Sequence, residues 1–350
     1  MKSERPEPMS KLEDLLARKG ALLADGATGT NLFEMGLVSG DAPELWNTDE
    51  PDRIRALHQS FVDAGSDIIL TNTFGCNRHR LKLHNAQGRV KELNVAAVKL
   101  AREVANTVDR EVLIGGSIGP TGELFQPLGA LSYEEGVAAF REQIEALAEG
   151  GVDILWVETM SAVEEMKAAA EAAQGVGLPL VITASFDTAG KTMMGLSPKG
   201  LGDLQTQFAC TPVAIGSNCG VGASDLLAAI MDITEAYPEA IVVAKANCGI
   251  PQIRGEEVVY TGTPDLMARY AHMALDAGAR IVGGCCGTSP VHLAAMRRAL
   301  DTHQAGQRPA LEQVLAEIGP LVSPPNREAD AARAESEASG SGRRRGRRRG

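Results

Sequence analysis

The sequence has 350 residues, of which 44% are hydrophobic and 23% are charged, enough for a large globular domain with a buried core. Its net charge of −11 disfavours nonspecific binding to nucleic acid or to an anionic membrane, and no apolar run approaches the roughly 18–20 residues of a membrane span. The first 20 residues lack the apolar core of a signal peptide, so the sequence predicts a cytoplasmic protein.

Eight short apolar runs recur along the chain, and we interpret them as buried parallel strands. In chain order they are 21–25, 67–73, 112–117, 153–159, 179–186, 213–219, 241–247 and 280–286. Between them, apolar residues recur with helical periodicity over 51–64, 133–149 and 224–237. Eight strand–helix repeats predict a (β/α)8 barrel of the TIM type. An open doubly wound sheet is the rival fold, but its G-x-G-x-x-G fingerprint does not follow the first strand.

The composition divides the chain into three parts. We predict a flexible N-terminus at 1–11, a single barrel domain at 12–318 and a disordered tail at 319–350. The tail is rich in proline, alanine, glutamate, serine and glycine, and it closes with SGSGRRRGRRRG. Its arginines either form a solvated end or contact RNA or an anionic surface.

Three cysteines stand where predicted strands end. Cys219 closes the sixth strand, and Cys285 and Cys286 close the eighth. Active sites of (β/α)8 barrels lie at the C-terminal ends of the strands, so these thiols should meet at one mouth. Three thiolates with one open position are typical of a catalytic zinc site, and sulfur ligands select zinc over magnesium or calcium. The remaining cysteines are predicted to be ordinary buried thiols: Cys76, Cys210 and Cys248.

Zinc held by three thiolates favours chemistry on a fourth sulfur. Such a site carries a net charge of about −1 and is a poor Lewis acid for a carbonyl. A coordinating thiol is deprotonated outright, whereas a free thiol, with a pKa of about 8.5, is mostly neutral at physiological pH. Alkyl transfer to a substrate thiol is therefore the reaction that the cysteine pattern predicts.

Two carboxylates are predicted at the same mouth. Asp25 ends the first strand, and Glu158 lies at the end of the fourth beside Thr159, with no obvious cationic partner in the sequence. Together they would hold an α-ammonium group, while backbone amides from Gly26 to Thr30 would meet an α-carboxylate. The alternative interpretations are that Asp25 caps a turn and that Glu158 forms an ion pair with the following helix.

Five segments resemble a known family, and they span the predicted mouth. They are ADGATGTNL (24–32), LTNTFG (70–75), GGSIGPTGE (115–123), SNCGVG (217–222) and GGCCGTSP (283–290). From about residue 12 to about residue 300 the chain resembles the homocysteine S-methyltransferase family, and within it most closely the bacterial betaine–homocysteine methyltransferases. The resemblance implies zinc-dependent methyl transfer to homocysteine, giving methionine.

The resemblance also assigns roles to residues. It implies that Cys219, Cys285 and Cys286 bind zinc and that Asp25 and Glu158 hold the amino group of homocysteine. In some members a further residue fills the fourth zinc position when homocysteine is absent, and Asn247 resembles it. The tyrosine that does so in betaine enzymes has no clear counterpart here, and Thr159 stands near its place.

The methyl donor is identified less directly. Aromatic faces hold a trimethylammonium group, and Trp46 and Phe74 follow the first and second strands closely enough to reach the mouth. Both are equally compatible with simple packing. Glycine betaine is the donor that the resemblance favours, and corrinoid-borne, folate-borne or sulfonium donors are the alternatives.

Two other classes of protein are alternatives to the methyltransferase. A metal hydrolase on the same barrel would need histidine and carboxylate ligands at the strand ends, and the six histidines fall in helical or tail segments instead. A non-catalytic zinc or thiol sensor would bind metal without turnover. The sequence leaves open two partners of the barrel, a second copy of the chain in a homo-oligomer and a separate corrinoid protein.

Overall fold

The computed structural model describes residues 9–254 and 257–325. Eight parallel strands form one sheet, and each of them overlaps one of the eight predicted runs, with β3 and β4 extending one residue beyond theirs. Their bounds are β1 Leu22–Leu23, β2 Ile68–Leu70, β3 Leu113–Ile118, β4 Ile154–Met160, β5 Leu180–Ala184, β6 Ala214–Cys219, β7 Val242–Ala246 and β10 Ile281–Gly284.

The sheet closes on itself. Each strand pairs with its neighbour in the order β1, β10, β7, β6, β5, β4, β3, β2. A further parallel bridge joins Ala24, just after β1, to Ile68 of β2. All strands therefore run in one direction around a barrel, which confirms the predicted (β/α)8 fold.

Helices surround the barrel along the described chain. They are α1 Lys11–Lys19, α2 Thr28–Glu34, α3 Trp46–Asp49, α4 Pro51–Asp63, α5 Arg78–Lys82, α6 Val90–Ala105, α7 Tyr133–Gly150, α8 Val163–Ala173, α9 Pro198–Leu204, α10 Ala223–Ala236, α11 Pro264–Asp276, α12 Pro290–Thr302 and α13 Leu311–Glu317. The three segments with predicted helical periodicity match α4, α7 and α10 to within one residue at each end. None of the helices in the described part of the chain is long and apolar enough to cross a membrane.

Local sequence signals explain how these elements begin and end. Ser132 and Glu135 form a reciprocal capping box at the start of α7. Gly151, with φ +93°, and Gly278, with φ +103°, lie in the turns that lead from α7 to β4 and from α11 to β10. Glycine suits both turns because it adopts positive φ without a steric penalty.

Two apolar layers hold the barrel. One lies between the strands and the helices, as expected for strands that are buried on both faces. The other fills the N-terminal end of the barrel, where Leu12, Leu15 and Leu16 of α1 pack with the first residues of the strands and with Trp156. Because α1 closes this end, the opposite end is the open mouth.

The structure adds two features that the sequence analysis did not predict. An antiparallel hairpin of β8 (Pro251–Arg254) and β9 (Glu257–Tyr260) follows β7. Residues 319–325, predicted to be disordered, are hydrogen-bonded to the barrel: the Asp225 carboxylate accepts the N–H groups of Val322 and Ser323, both at 2.9 Å. The arginine-rich end and residues 1–8 lie outside the described residues.

Candidate metal and substrate site

The register of three strands brings the predicted zinc ligands together. Cys219 at the end of β6 and Gly284 at the end of β10 both stand opposite Ala246 of β7. Cys285 follows at once, and its N–H donates to the Ala246 carbonyl at 2.6 Å. A single central strand therefore sets both cysteine-bearing strand ends at the same level of the mouth.

The sulfur geometry fits one metal ion. The Sγ atoms of Cys219, Cys285 and Cys286 all lie within 4.8 Å of one another, and those of Cys219 and Cys286 are 4.0 Å apart. Two sulfurs bound at about 2.3 Å to a tetrahedral zinc ion would lie about 3.8 Å apart. Cys219 has φ +63°, a left-handed conformation rarely adopted outside glycine, asparagine and aspartate.

The pKa values of the three thiols depend on one another, and a bound cation would favour the ionised form of all three. Hydrogen bonds from Cys219 and Cys285, and then from the Tyr260 hydroxyl, lower the pKa of Cys286. Hydrogen bonds with Cys285 and Cys286 raise the pKa of Cys219. The hydrogen bond with Cys219 lowers the pKa of Cys285, but the contact with Cys286 and burial outweigh it and raise this pKa to about 12. One thiolate thus forms at the expense of the others, and a bound divalent cation would let all three ionise.

Hydrogen bonds between Thr159 and Asn218 join the ends of β4 and β6. The Asn218 side chain accepts from the Thr159 N–H and donates to the Thr159 hydroxyl, each at 2.7 Å. Its amide also lies 3.9 Å from the Cys285 sulfur. Thr159, which we predict to bind substrate, lines the mouth. The sequence analysis did not single out Asn218, although SNCG is one of the segments that carry the resemblance.

Asp25 has a cationic partner that the sequence analysis missed. Lys245, the next-to-last residue of β7, donates from Nζ to Asp25 Oδ1 at 2.6 Å, and both side chains are buried. The Leu70 N–H donates to the other carboxylate oxygen at 2.7 Å. Burial raises the pKa of Asp25, and the Lys245 charge opposes that rise. The expectation that Asp25 lacks a cationic partner is therefore wrong.

Glu158 is also buried, but its hydrogen-bond partner is a hydroxyl group rather than the ammonium group that Asp25 binds. Its Oε1 accepts a hydrogen bond from the Ser117 hydroxyl at 2.5 Å, and its Oε2 accepts none from the described residues. Burial raises the pKa of Glu158 to about 7, with the Lys245 charge opposing and the Cys285 charge adding to the rise. Glu158 lines the mouth cavity.

The turn after β1 forms the next part of the wall. Gly26 and Thr30 both line the cavity, and the Gly287 N–H donates to the Thr30 hydroxyl at 3.2 Å. A Cβ atom at Gly26 would come within 2.6 Å of the Thr288 carbonyl oxygen. This position needs glycine because the loop of GGCCGT packs directly against it.

Two residues are candidates for the position beside the sulfurs. Asn247 is buried, donates to the Gly220 carbonyl at 2.7 Å and leaves its Oδ1 without a described partner. Tyr260, at the end of β9, has a hydroxyl that helps to lower the pKa of Cys286, and its ring fills the space where a Cβ atom of Gly287 would lie. A tyrosine therefore does reach the sulfur cluster, from a hairpin rather than from the strand end near Thr159.

The predicted donor residues take different places around a mouth cavity of about 1250 Å³. Phe74 lines the cavity and is 37% exposed. Trp46 is not among the described residues that line it, and the Arg53 guanidinium lies 4.8 Å from the centre of its ring. Trp46 packs against the outer apolar layer instead. The structure thus brings only one of the two aromatic residues to the mouth.

The remaining cysteines lie apart from the cluster. Cys76 and Cys248 are buried and Cys210 is half-buried. The Cys248 sulfur lies 3.4 Å from the Gly262 carbonyl oxygen rather than beside the other sulfurs. Among the described residues, the group that could hold a metal therefore consists of the three predicted cysteines.

Comparison with known proteins places the chain among relatives. The family model described as homocysteine S-methyltransferase matches residues 22–300. Methionine synthase from Mycobacterium tuberculosis is 29% identical over 301 residues, covering 81% of this chain and 25% of that protein. Methionine synthase from Mycobacterium leprae is likewise 29% identical over 301 residues, covering 81% of this chain and 24% of that protein. The chain thus spans about a quarter of the length of these curated relatives.

Solved structures give the same placement. The oxidized form of the homocysteine methyltransferase MmuM from Escherichia coli superposes with a TM-score of 0.69 at 25% identity, covering 82% of this chain and 98% of that chain. The metallated form of the same protein superposes with a TM-score of 0.67 at 26% identity, covering 82% of this chain and 99% of that chain.

Proposed function

The chain belongs to the homocysteine S-methyltransferase family, and on that basis we propose that it transfers a methyl group to the thiol of homocysteine, forming methionine. The observation that carries the proposal is the convergence of three cysteine sulfurs within 4.8 Å at a mouth that also holds buried carboxylates. A thiol amino acid matches both features, because sulfur binds the metal and the ammonium group binds a carboxylate.

We further propose that the cofactor is zinc, held by Cys219, Cys285 and Cys286. Zinc in this site would supply acidity to a fourth sulfur, so that the substrate thiol is held as a thiolate at neutral pH. The match to a metallated relative and the separation of the sulfurs support this assignment. Asn247 and Tyr260 are the candidates for the fourth position in the absence of substrate.

The rest of the chain would orient the reactants. Glu158 would accept the α-ammonium group, and the turn from Gly26 to Thr30 would meet the α-carboxylate. The substrate sulfur would then form a bond to the methyl carbon while the bond from that carbon to the donor's positively charged nitrogen or sulfur breaks. The electron pair of the broken bond leaves with the donor, and holding both reactants in line supplies much of the rate enhancement.

Glycine betaine is the donor that we propose, with Phe74 against its trimethylammonium group. The exposed ring of Phe74 in the cavity supports it. A second candidate is a barrel that activates homocysteine for a methyl group borne by a corrinoid or folate partner. It is favoured by the match to methionine synthases that are about four times as long as the aligned region.

The test is methionine formation by zinc-loaded protein with homocysteine and one donor at a time. The donors are glycine betaine, S-methylmethionine, dimethylsulfoniopropionate and methyl-tetrahydrofolate. Turnover with betaine alone supports the proposal, and turnover with another donor corrects the donor only. Homocysteine binding without turnover favours the partner-dependent alternative, and activity that survives complete zinc removal overturns the role of zinc.

A further inference from the structure

The floor of the mouth contains a buried lysine among acidic groups. Lys245 is 2% exposed, Asp25 is 1% exposed and Glu158 is 8% exposed, and all three line the cavity. The Lys245 Nζ also lies 5.8 Å from the centre of the Trp156 ring, within the range of a cation–π contact. The ammonium group is therefore held between an aromatic ring and a carboxylate.

The surroundings keep this lysine charged and fixed in place. Burial alone would disfavour the ammonium, but the charges of Asp25 and Glu158 outweigh it, and the pKa of Lys245 lies above its ordinary value. Its stem packs against β10, where a Cβ atom at Gly283 would lie 3.1 Å from the Lys245 Cγ. The glycine in GGCC thus makes room for the lysine as well as for the turn.

The two carboxylates differ in how many of their oxygen atoms already accept a hydrogen bond. Both oxygens of Asp25 are engaged, one by Lys245 at 2.6 Å and one by the Leu70 N–H at 2.7 Å. Glu158 has one oxygen on Ser117 and one without a hydrogen bond from the described residues. A substrate ammonium placed on Asp25 would have to share that carboxylate with the Lys245 ammonium and be repelled by it.

We infer that Lys245 is a positioning residue that determines how the amino group of the substrate is recognised: it occupies Asp25 and leaves the open oxygen of Glu158 as the acceptor. When both carboxylates are ionised, they and the one lysine leave one negative charge on the floor, which one α-ammonium group neutralises. The inference rests on the proposed function and deepens it. The sequence predicts that Asp25 and Glu158 together hold the substrate ammonium, whereas here Glu158 accepts it and Asp25 binds Lys245.

The experiment measures thiol binding to zinc-loaded protein by isothermal titration calorimetry. The two probes are homocysteine and 4-sulfanylbutanoate, which lacks only the α-amino group. In the wild type we expect homocysteine to bind roughly 10- to 100-fold more tightly, the value of a charged hydrogen bond. E158Q should reduce this preference to within about threefold, the level expected without that bond.

Paired variants separate Lys245 from a merely structural role. The double variant D25N/K245M removes a pair with no net charge and should keep the preference for homocysteine, because Glu158 is intact. The double variant E158Q/K245M frees Asp25 and should recover the preference that E158Q alone loses. Thermal unfolding confirms that each variant is folded, and if D25N/K245M does not fold, E158Q and E158Q/K245M still decide the question.

Each contrary result has a distinct meaning. Retained preference in E158Q, lost preference in D25N/K245M, or no recovery in E158Q/K245M overturns the division of roles. A wild type that binds neither thiol overturns the proposed function itself, and the inference with it.

Discussion

The Asn218 side chain forms two hydrogen bonds with Thr159, one with its backbone and one with its hydroxyl. Asn218 Oδ1 accepts the Thr159 N–H and Asn218 Nδ2 donates to the Thr159 hydroxyl, each at 2.7 Å. The same Oδ1 accepts the Thr183 hydroxyl at 2.6 Å. Thr159 has φ +62°, so the asparagine stabilises a backbone conformation that threonine rarely adopts. Because Cys219 follows at once, this contact joins the substrate wall to the metal ligands.

We predict that N218L weakens both the fold and the metal site. Thr159 and Thr183 lose buried hydrogen bonds, so the free energy of unfolding should fall by about 2–4 kcal/mol. Zinc affinity should fall roughly 10- to 100-fold, as for other groups that orient metal ligands. Urea unfolding and chelator competition measure the two effects. N94L is the matched control: Asn94 is buried on α6 and bonds the Cys76 and Val90 carbonyls, so zinc affinity should not change. Equal zinc affinity in N218L and N94L would contradict the prediction.

The three clustered cysteines should be separable from Cys248 by metal content. Each of C219A, C285A and C286A removes a sulfur from the cluster, and we expect zinc affinity to fall at least about a hundredfold, with loss of methionine formation. C248A is the control, because Cys248 is buried beside the site but its sulfur faces the Gly262 carbonyl. Zinc content after dialysis is the measurement. If C248A loses zinc as readily as C219A, the ligand set is wrong.

The barrel was predictable because its signals are local. Each strand is a short apolar run, and the turns before β4 and β10 place glycine where the backbone needs positive φ. The cysteine cluster was predictable for the same reason: a strand's last residue lies at the mouth wherever that strand stands in the barrel. Knowing the fold class therefore sufficed to bring Cys219 together with Cys285.

The partners of the site residues were harder to predict, because they depend on register and on loop paths. Lys245 lies inside an apolar run, and only the pairing of β7 with β10 and β10 with β1 turns it towards Asp25. Tyr260 lies near Cys286 at the end of a hairpin that the hydrophobic pattern of the sequence did not predict. Trp46 lies in the connection that follows β1, yet as the first residue of α3 it packs against the outer layer. Proximity along the chain does not determine such contacts.

Stability should depend on pH through Glu158. Burial raises the pKa of this carboxyl from 4.5 to about 7, so folding favours its neutral form. The free-energy cost of folding with an ionised Glu158 is absent below about pH 4.5 and grows as the pH rises. It is complete above about pH 7, where it reaches about 3 kcal/mol. Relative to the wild type, metal-free E158Q should therefore gain about that much stability between pH 4.5 and pH 8. Urea unfolding across this range is the test, with E149Q as an exposed control for the loss of one charge. Parallel curves for wild type and E158Q would count against the prediction.

Phe74 and Trp46 should respond differently to substitution. Phe74 lines the cavity, so F74A should raise the KM for a cationic donor about 2- to 30-fold, the range of a cation–π contact, with little change in homocysteine binding. W46A should lower stability without a specific effect on that KM, because its ring packs against the outer layer and Arg53. Steady-state kinetics with the donor as the varied substrate measures the difference. A larger donor effect in W46A than in F74A would mean that Trp46 reaches the mouth after all.

The segment 319–325 should act as a clasp on the helix that follows Cys219. The Asp225 carboxylate, in the first turn of α10, accepts the Val322 and Ser323 N–H groups, and the Ser224 hydroxyl donates to the Gly319 carbonyl at 2.8 Å. We expect D225A to speed hydrogen exchange at the Val322 and Ser323 amides about tenfold or more and to lower the free energy of unfolding by about 1–3 kcal/mol.

Asp225 also lies where an acidic side chain favours the dipole of α10, and that contribution must be separated from the clasp. D265A supplies the comparison, because Asp265 occupies the first turn of α11 without a described hydrogen bond from a distant segment. If loss of the dipole interaction were the whole effect, both variants would lose a similar few tenths of a kcal/mol, up to about 1 kcal/mol, and exchange at 322 and 323 would be unchanged. Faster exchange confined to D225A requires the carboxylate to hold the segment directly. In that case residues 319–325 belong to the structural unit that supports the Cys219 loop.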